Sequence, residues 1–349
     1  MAETKMHSEI LENPRVIAEL EKVNKETLTL LANELKAKGV RHVTFAARGT
    51  SDHASIYGQY LMTVLGGKVG GLAVPSALTV YGAEPQFSSD DLVIGVSQSG
   101  AAEDVLSVMN AAKKCGATVA AITNHADSKM AKAADFHLDC AAGEEYALAA
   151  TKTFIAEIGL ICLLAAYWFD DAQLLKSFRK LPSVLEKTVK MLDKKIENIA
   201  QRYIYARDGF ILSRGMSYPI ALEASLKVQE TCFIRMKGYS VSDFYHGPFA
   251  QVEKGTPIIV YAPDGRGLSD NLAVIDRLTG MEVDPLVVTD NKEIADKYAF
   301  SCLLPATKNE FTSVFVIAVF AQMFSEKLCT LRRLDPDVSR NLKKVTVTK

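Results

Sequence analysis

The rhythm of apolar and polar positions changes near residue 40. Before that point Leu20, Leu28, Leu31 and Leu35 recur at helical spacing among many charges, which predicts an N-terminal helical segment over residues 1–38. Short apolar runs then alternate with longer amphipathic stretches. Strands are expected at His42–Ala47, Val69–Val74, Leu92–Val96 and Thr118–Thr123, with one helix starting at Ser51 and another over Ala102–Lys114. Such alternation argues for an α/β fold, a mostly parallel sheet flanked by helices. A helical stretch rich in Lys and Leu, from Thr153 to about Arg202, leads to a second start. There a strand is expected at Phe210–Ser213, a helix from Tyr218, strands at Pro257–Ala262 and Asp284–Thr289, a helix from Asn271 and a last long helix from Asn309.

The two halves also share local sequence. Ala47-Arg48-Gly49-Thr50-Ser51 opens one and Ser213-Arg214-Gly215-Met216-Ser217 the other, each between an apolar strand and a helix bearing Ala and Leu. Matched context on both sides makes this a duplicated α/β domain. The expected organisation is a helical segment 1–38, a first domain 39–170, a helical linker 171–203, a second domain 204–335 and a tail 336–349.

Composition narrows the picture. A chain of 349 residues exceeds one typical domain. With a net charge of −1 and no basic block it lacks the electrostatic footprint of a nucleic-acid binder, so an anionic ligand needs a local site. The six cysteines show no metal-ligand spacing and several sit in apolar runs, which reads as buried free thiols in a reducing compartment. The N-terminus has no apolar signal core, and the apolar runs Ile158–Phe169 and Val314–Phe324 fall short of the roughly 18 residues of a membrane span. A cytoplasmic protein with no membrane partner is expected.

Two places carry candidate chemistry. Gly95-Val96-Ser97-Gln98-Ser99-Gly100 follows a strand and precedes a helix, so backbone N–H groups at the helix start and serine hydroxyls could cradle a phosphate; a Ser-rich capping turn is the plainer alternative. The loop Gly49-Thr50-Ser51 offers hydroxyls at another strand end of the same sheet, where ligands of open α/β sheets bind. The second half has Pro263-Asp264-Gly265-Arg266 instead, where Asp264 would repel a phosphate. Its own chemistry begins with Glu223, Lys227 and Glu230, which share one helix face, either as a solvated ion pair or as a functional set. His246, before Gly247-Pro248, stands in a tight turn and is an acid/base candidate.

In this order Gly49-Thr50-Ser51, Ser97-Gln98-Ser99-Gly100, Ala150-Thr151-Lys152-Thr153-Phe154, the Glu223/Lys227/Glu230 helix, His246-Gly247-Pro248 and Arg340-Asn341-Leu342-Lys343-Lys344 resemble the isomerase half of glutamine–fructose-6-phosphate aminotransferase, built from two sugar-isomerase (SIS) domains. The resemblance runs from about residue 40 to the C-terminus. It implies tandem flavodoxin-like domains and a hexose-phosphate ligand. Ser51, Ser97, Gln98 and Ser99 would bind the phosphate, with Gly49, Thr50, Ala102, Leu148, Ala150, Glu223, Lys227 and Lys343 completing the sugar site. Glu230 would shuttle a proton between C1 and C2, His246 would open the ring from the neighbouring subunit, and Lys344 would form an imine with the sugar carbonyl.

The chain departs from the family where Ala101-Ala102 replaces Glu-Thr and Ala150 replaces Ser. It begins with Ala2 and a helix in place of a glutaminase domain and its cysteine nucleophile. The resemblance therefore implies a stand-alone glucosamine-6-phosphate deaminase, with a fructosamine-phosphate deglycase, a galactosamine-6-phosphate deaminase or a non-catalytic sugar-phosphate sensor as the other readings. No metal or organic cofactor is expected, because the imine is the electron sink. A homodimer with shared sites is the expected assembly.

Overall fold

The computed structural model describes residues 4–338, 340 and 341. Two compact units emerge. One collects the chain through Pro14, Tyr146–Thr151 and Lys180–Arg340; the other consists of Arg15–Glu145 and Lys152–Arg179, with Asn341.

The element order begins with α1 (Lys5–Leu11) and α2 (Asn13–Ala37), then β1 (His42–Ala46), α3 (Thr50–Gly66), β2 (Val69–Leu72), α4 (Pro75–Thr79), β3 (Asp91–Val96), α5 (Glu103–Lys114), β4 (Thr118–Thr123), α6 (Lys129–Ala133) and β5 (Phe136–Asp139). Three helices follow: α7 (Lys152–Trp168), α8 (Ala172–Phe178) and α9 (Leu181–Ala200). The second series is β6 (Asp208–Ser213), α10 (Tyr218–Cys232), β7 (Arg235–Ser240), α11 (Val241–Tyr245), β8 (Ile258–Tyr261), α12 (Leu268–Gly280), β9 (Leu286–Thr289), α13 (Lys292–Lys297), β10 (Ser301–Leu303) and α14 (Glu310–Leu331).

Each unit is built on one parallel five-stranded sheet. The first runs β2-β1-β3-β4-β5 and the second β10-β9-β8-β6-β7, so both follow the order 2-1-3-4-5. The duplication extends to single hydrogen bonds. Ser97 N donates to Ile122 O at 3.1 Å, and Ala262 N donates to Val288 O at 2.8 Å. Cys140 N reaches Thr123 O at 2.9 Å, and Leu304 N reaches Thr289 O at 2.8 Å. The first pair joins the carboxyl ends of the third and fourth strands of each sheet, and the second those of the fifth and fourth.

The core strands read as near-continuous apolar runs because helices cover both faces, as parallel sheets require. Every residue of β3, β4, β8 and β9 is buried. Val93, Val105, Met109 and Val119 centre one cluster of the first unit, and Leu212, Phe244, Val260 and Val274 one of the second.

One expected element divides. The helical stretch Thr153–Arg202 is three helices, because Asp170 takes a left-handed conformation (φ 53°) after α7 and Pro182 sits in the first turn of α9, where its missing N–H costs no helical bond. The two apolar runs belong to α7 and α14, whose side chains are almost all buried. The apolar run within α14 is short, but the whole helix is long and apolar enough to cross a membrane; its apolar window is 89% buried inside the protein.

Candidate functional site

In an open parallel sheet of order 2-1-3-4-5, the connections from strands 1 and 3 leave in opposite directions and open a crevice at their carboxyl ends. In the first sheet β1 and β3 are paired neighbours, Ala46 opposite Gly95. The loops Gly49-Thr50-Ser51 and Ser97-Gln98-Ser99-Gly100 leave those two strands, so the topology brings both expected phosphate loops to one edge.

The second loop is tightly built. Gly100 (φ 61°) donates its N–H to Ser97 O and Ser97 Oγ, both at 3.2 Å, and a Cβ at this position would lie 2.2 Å from Ser128 Oγ. Ala101 N donates to Ser99 Oγ at 3.4 Å. Ser97 and Ser99 thus accept bonds inside the loop, and their hydroxyl protons remain to be donated. Ala102, the N-cap of α5, makes no side-chain capping bond, and neither does Gly49 (φ 57°), the N-cap of α3. Uncapped starts present N–H groups and a partial positive charge, which suits an anion. Gln98 O accepts from Asn124 N at 3.0 Å, which anchors the loop to the end of β4.

Ser51 differs from the loop serines. Its hydroxyl donates to Glu157 Oε1 at 2.8 Å, in α7, and both residues are buried. Sequence reasoning missed Glu157. A single acid within the apolar run of α7 gives no periodic signal, although a charge inside such a helix is itself a flag, since buried carboxylates need partners. Glu145 was missed too; it accepts from Thr153 N (3.2 Å) and Thr153 Oγ1 (2.9 Å) at the start of α7.

In the other unit α10 carries the acid/base candidates. Pro219 in the first turn starts the helix, and Phe233 in a left-handed conformation (φ 56°) ends it. Lys227 Nζ lies 3.4 Å from Glu223 Oε1 and donates to Glu230 Oε2 at 2.6 Å. Glu223 and Lys227 are 2% and 0% exposed, so the face they share is no solvated surface. Glu230 is partly open, with 21% of its side chain exposed. Burial pulls the Lys227 ammonium down, but the charges of Glu223 and Glu230 and their hydrogen bonds overcome it and hold it above the usual lysine range. The lysine is therefore held as a cation, and Glu230 is the member of the set that solvent reaches.

Leu148 and Ala150, both half-buried, lie in a segment held at each end. Glu9 accepts from the N–H groups of Tyr146 and Ala147, the latter at 3.1 Å, and Gln322 Nε2 donates to Thr151 O at 3.0 Å while its Oε1 accepts from Asn13 at 2.7 Å. His246 caps α11, its N–H bonded to Asp243 O at 3.0 Å, and its side chain is exposed before Gly247 (φ 137°). Lys343 and Lys344 lie outside the described residues. The second sheet's equivalent loop is acidic. Asp264 N donates to Asp290 Oδ1 at 2.7 Å, burial raises the Asp290 carboxyl, and Glu310 pairs with Arg266 at 2.5 Å. All six cysteines are free, Cys115 exposed and the others buried. No group of His, Cys, Asp and Glu suited to a metal ion occurs among the described residues.

Two parallel sheets of one topology, one with a serine-lined loop at its switch point, define a class: the chain belongs to the SIS domain family, whose pattern it matches over residues 25–167 and 204–330. It is similar to the glutamine–fructose-6-phosphate aminotransferases (isomerizing) of Thermococcus kodakarensis, 32% identical over 98% of this chain, and of Bartonella quintana, 31% identical over 98%. The chain spans 58% of the length of each of these relatives. A proposed phosphosugar isomerase from Silicibacter pomeroyi has the same fold, with a TM-score of 0.87 and 27% identity over 96% of this chain and 100% of that one.

Proposed function

We propose that this protein moves a proton between C1 and C2 of a phosphorylated hexose, and that its substrate is an amino-sugar phosphate, glucosamine 6-phosphate, converted to fructose 6-phosphate and ammonia. The observation that carries the reading is the buried Glu223–Lys227–Glu230 set. Glu230 is the accessible carboxylate, and a positioned carboxylate can take the C2 proton and return it to C1. Lys227, held charged, orients it and offers a donor to the developing enolamine oxygen or nitrogen.

The phosphate is assigned to Ser97, Gln98 and Ser99 with the α5 N-terminus, and to Gly49, Thr50 and Ser51, with Ala102 beside them. Leu148, Ala150 and Glu223 are assigned to the sugar. By family resemblance His246 opens the ring in the partner subunit's site of a homodimer, and Lys344, with Lys343 beside it, forms the imine. Moving the C2 proton to C1 leaves an imine at C2; the Lys344 amine adds at C2 and displaces ammonia, and water then hydrolyses the lysine imine to the C2 ketone of fructose 6-phosphate. The test is ammonia release and ketose formation across a panel of hexosamine 6-phosphates. Glucosamine 6-phosphate should turn over fastest. Isomerisation of a hexose phosphate with no ammonia from any amino sugar would leave a plain isomerase.

A further inference from the structure

We infer that Arg277 is a positioning residue for ring opening, its guanidinium clipping together the two ends of the turn that presents His246. The inference rests on the ring-opening role proposed for His246 and adds the group that holds its frame. Opening a furanose breaks the C2–O5 bond as the C2 carbonyl forms; the hydroxyl on C2 gives up a proton and O5 gains one. An imidazole can take the one and give the other. It has to stand at hydrogen-bond distance from those oxygens, so a small displacement of the turn that carries it is costly.

Two backbone bonds frame the turn: His246 N donates to Asp243 O and Ala250 N to Gly247 O, both at 3.0 Å. Between them Gly247 takes φ 137°, ψ −56°, and a Cβ there would meet no atom within 4 Å. The backbone angle, not a close neighbour, calls for glycine.

Aromatic side chains then close the turn. Tyr245 precedes His246 and Phe249 follows Pro248, and their rings lie 5.4 Å apart. Phe249 also meets the buried Phe244 edge-on at 5.6 Å, which ties this end of the turn to the core beneath the second sheet. From α12, Arg277 sets its guanidinium carbon 4.1 Å from the Phe249 centroid and 5.1 Å from that of Tyr245. Both distances fall inside the roughly 6 Å reach of a cation–π contact. One cation thus bridges the residues on either side of His246-Gly247-Pro248. Arg277 and Tyr245 are exposed, so removing the clip leaves the core in place and frees only the turn.

Exchange of the C1 hydrogens with solvent deuterium, followed by NMR on the full chain with ammonium present, tests this with two ketoses. Fructose 6-phosphate is cyclic in solution. Its 5-deoxy analogue lacks the hydroxyl that closes the furanose and stays open. The readout is the ratio of the two exchange rates, open over cyclic. In Arg277→Met the ratio should rise by roughly three- to tenfold, the scale of a lost cation–π contact. Arg277→Lys, which keeps a cation beside the rings, should bring it back toward the wild-type value. His246→Asn should raise the ratio further. An unchanged ratio in Arg277→Met, or one that Arg277→Lys fails to lower, overturns the inference, while a raised ratio in His246→Asn keeps the ring-opening reading. An unchanged ratio in His246→Asn overturns that reading and this inference with it. A wild type that exchanges neither ketose overturns proton transfer between C1 and C2, and the inference falls too.

Discussion

Arg48 Nε donates to Asp104 Oδ2 at 2.7 Å, joining the loop after β1 to the first turn of α5, fifty-six residues on. In the other unit Arg214 Nε meets Asp270 Oδ2 at 3.1 Å, joining the loop after β6 to the first turn of α12 at the same spacing of 56. Duplication has kept one clasp at both switch points. Its burial has diverged: the Asp104 side chain is 2% exposed and that of Asp270 56%.

The two clasps should therefore differ in strength. Asp104→Asn weakens a buried charge-assisted bond and should destabilise the protein by about 1.5–3 kcal/mol, whereas Asp270→Asn should cost less than about 1 kcal/mol. Urea unfolding of the two variants makes the comparison. Equal losses would contradict it.

Lys227 should not be the lysine that forms an imine. An amine must be neutral to attack a carbonyl, and the folded protein holds this one charged. A pKa raised on folding gives stability that is complete below the unfolded value and is lost only as pH climbs through the higher folded one. Stability attributable to Lys227 should therefore be constant between about pH 6 and 9. Lys227→Met, which removes the buried cation beside Glu223 and Glu230, should cost about 3–5 kcal/mol across that range. Borohydride trapping with a sugar phosphate, followed by peptide mapping, should label Lys344; label on Lys227 would overturn this division of labour.

Much of this was legible in the chain. Thr118–Thr123 is a strand with the expected bounds, as its six buried residues demand, and the two loops of the first sheet meet because β1 and β3 pair. The strands that periodicity missed, β5, β7 and β10, are all sheet edges. Arg235-Met236-Lys237-Gly238-Tyr239-Ser240 is polar enough to protect an exposed edge, and so it carries no run of apolar residues. Glu157 and Gln322 were invisible for the opposite reason. Each is a polar group flanked by buried apolar residues in a core helix, and only three dimensions show a partner that it serves.

Removing a proposed phosphate donor should weaken phosphate recognition and nothing else. Ser99→Ala should reduce affinity for fructose 6-phosphate by about 1–3 kcal/mol and leave the weak binding of fructose unchanged. Isothermal titration of both sugars separates the effects. An equal loss for both would point to a folding defect in the loop.

The exposed His246 gives a test of assembly. If it serves the partner subunit's site, Glu230→Gln and His246→Ala chains, each inactive alone, should complement when mixed. Random exchange within a C2 dimer leaves one intact site per heterodimer, so about a quarter of wild-type activity should return. No recovery after verified exchange would place the whole site in one chain.

The central claim is that Glu230 carries the proton between C1 and C2. The direct measurement is exchange of the C2 hydrogen of the sugar phosphate with solvent deuterium, followed by NMR in the wild type and in Glu230→Gln. A lost general base should slow exchange by about a hundredfold or more while ligand affinity stays within a few-fold. A Glu230→Gln protein that exchanges the C2 hydrogen at close to the wild-type rate would contradict the account.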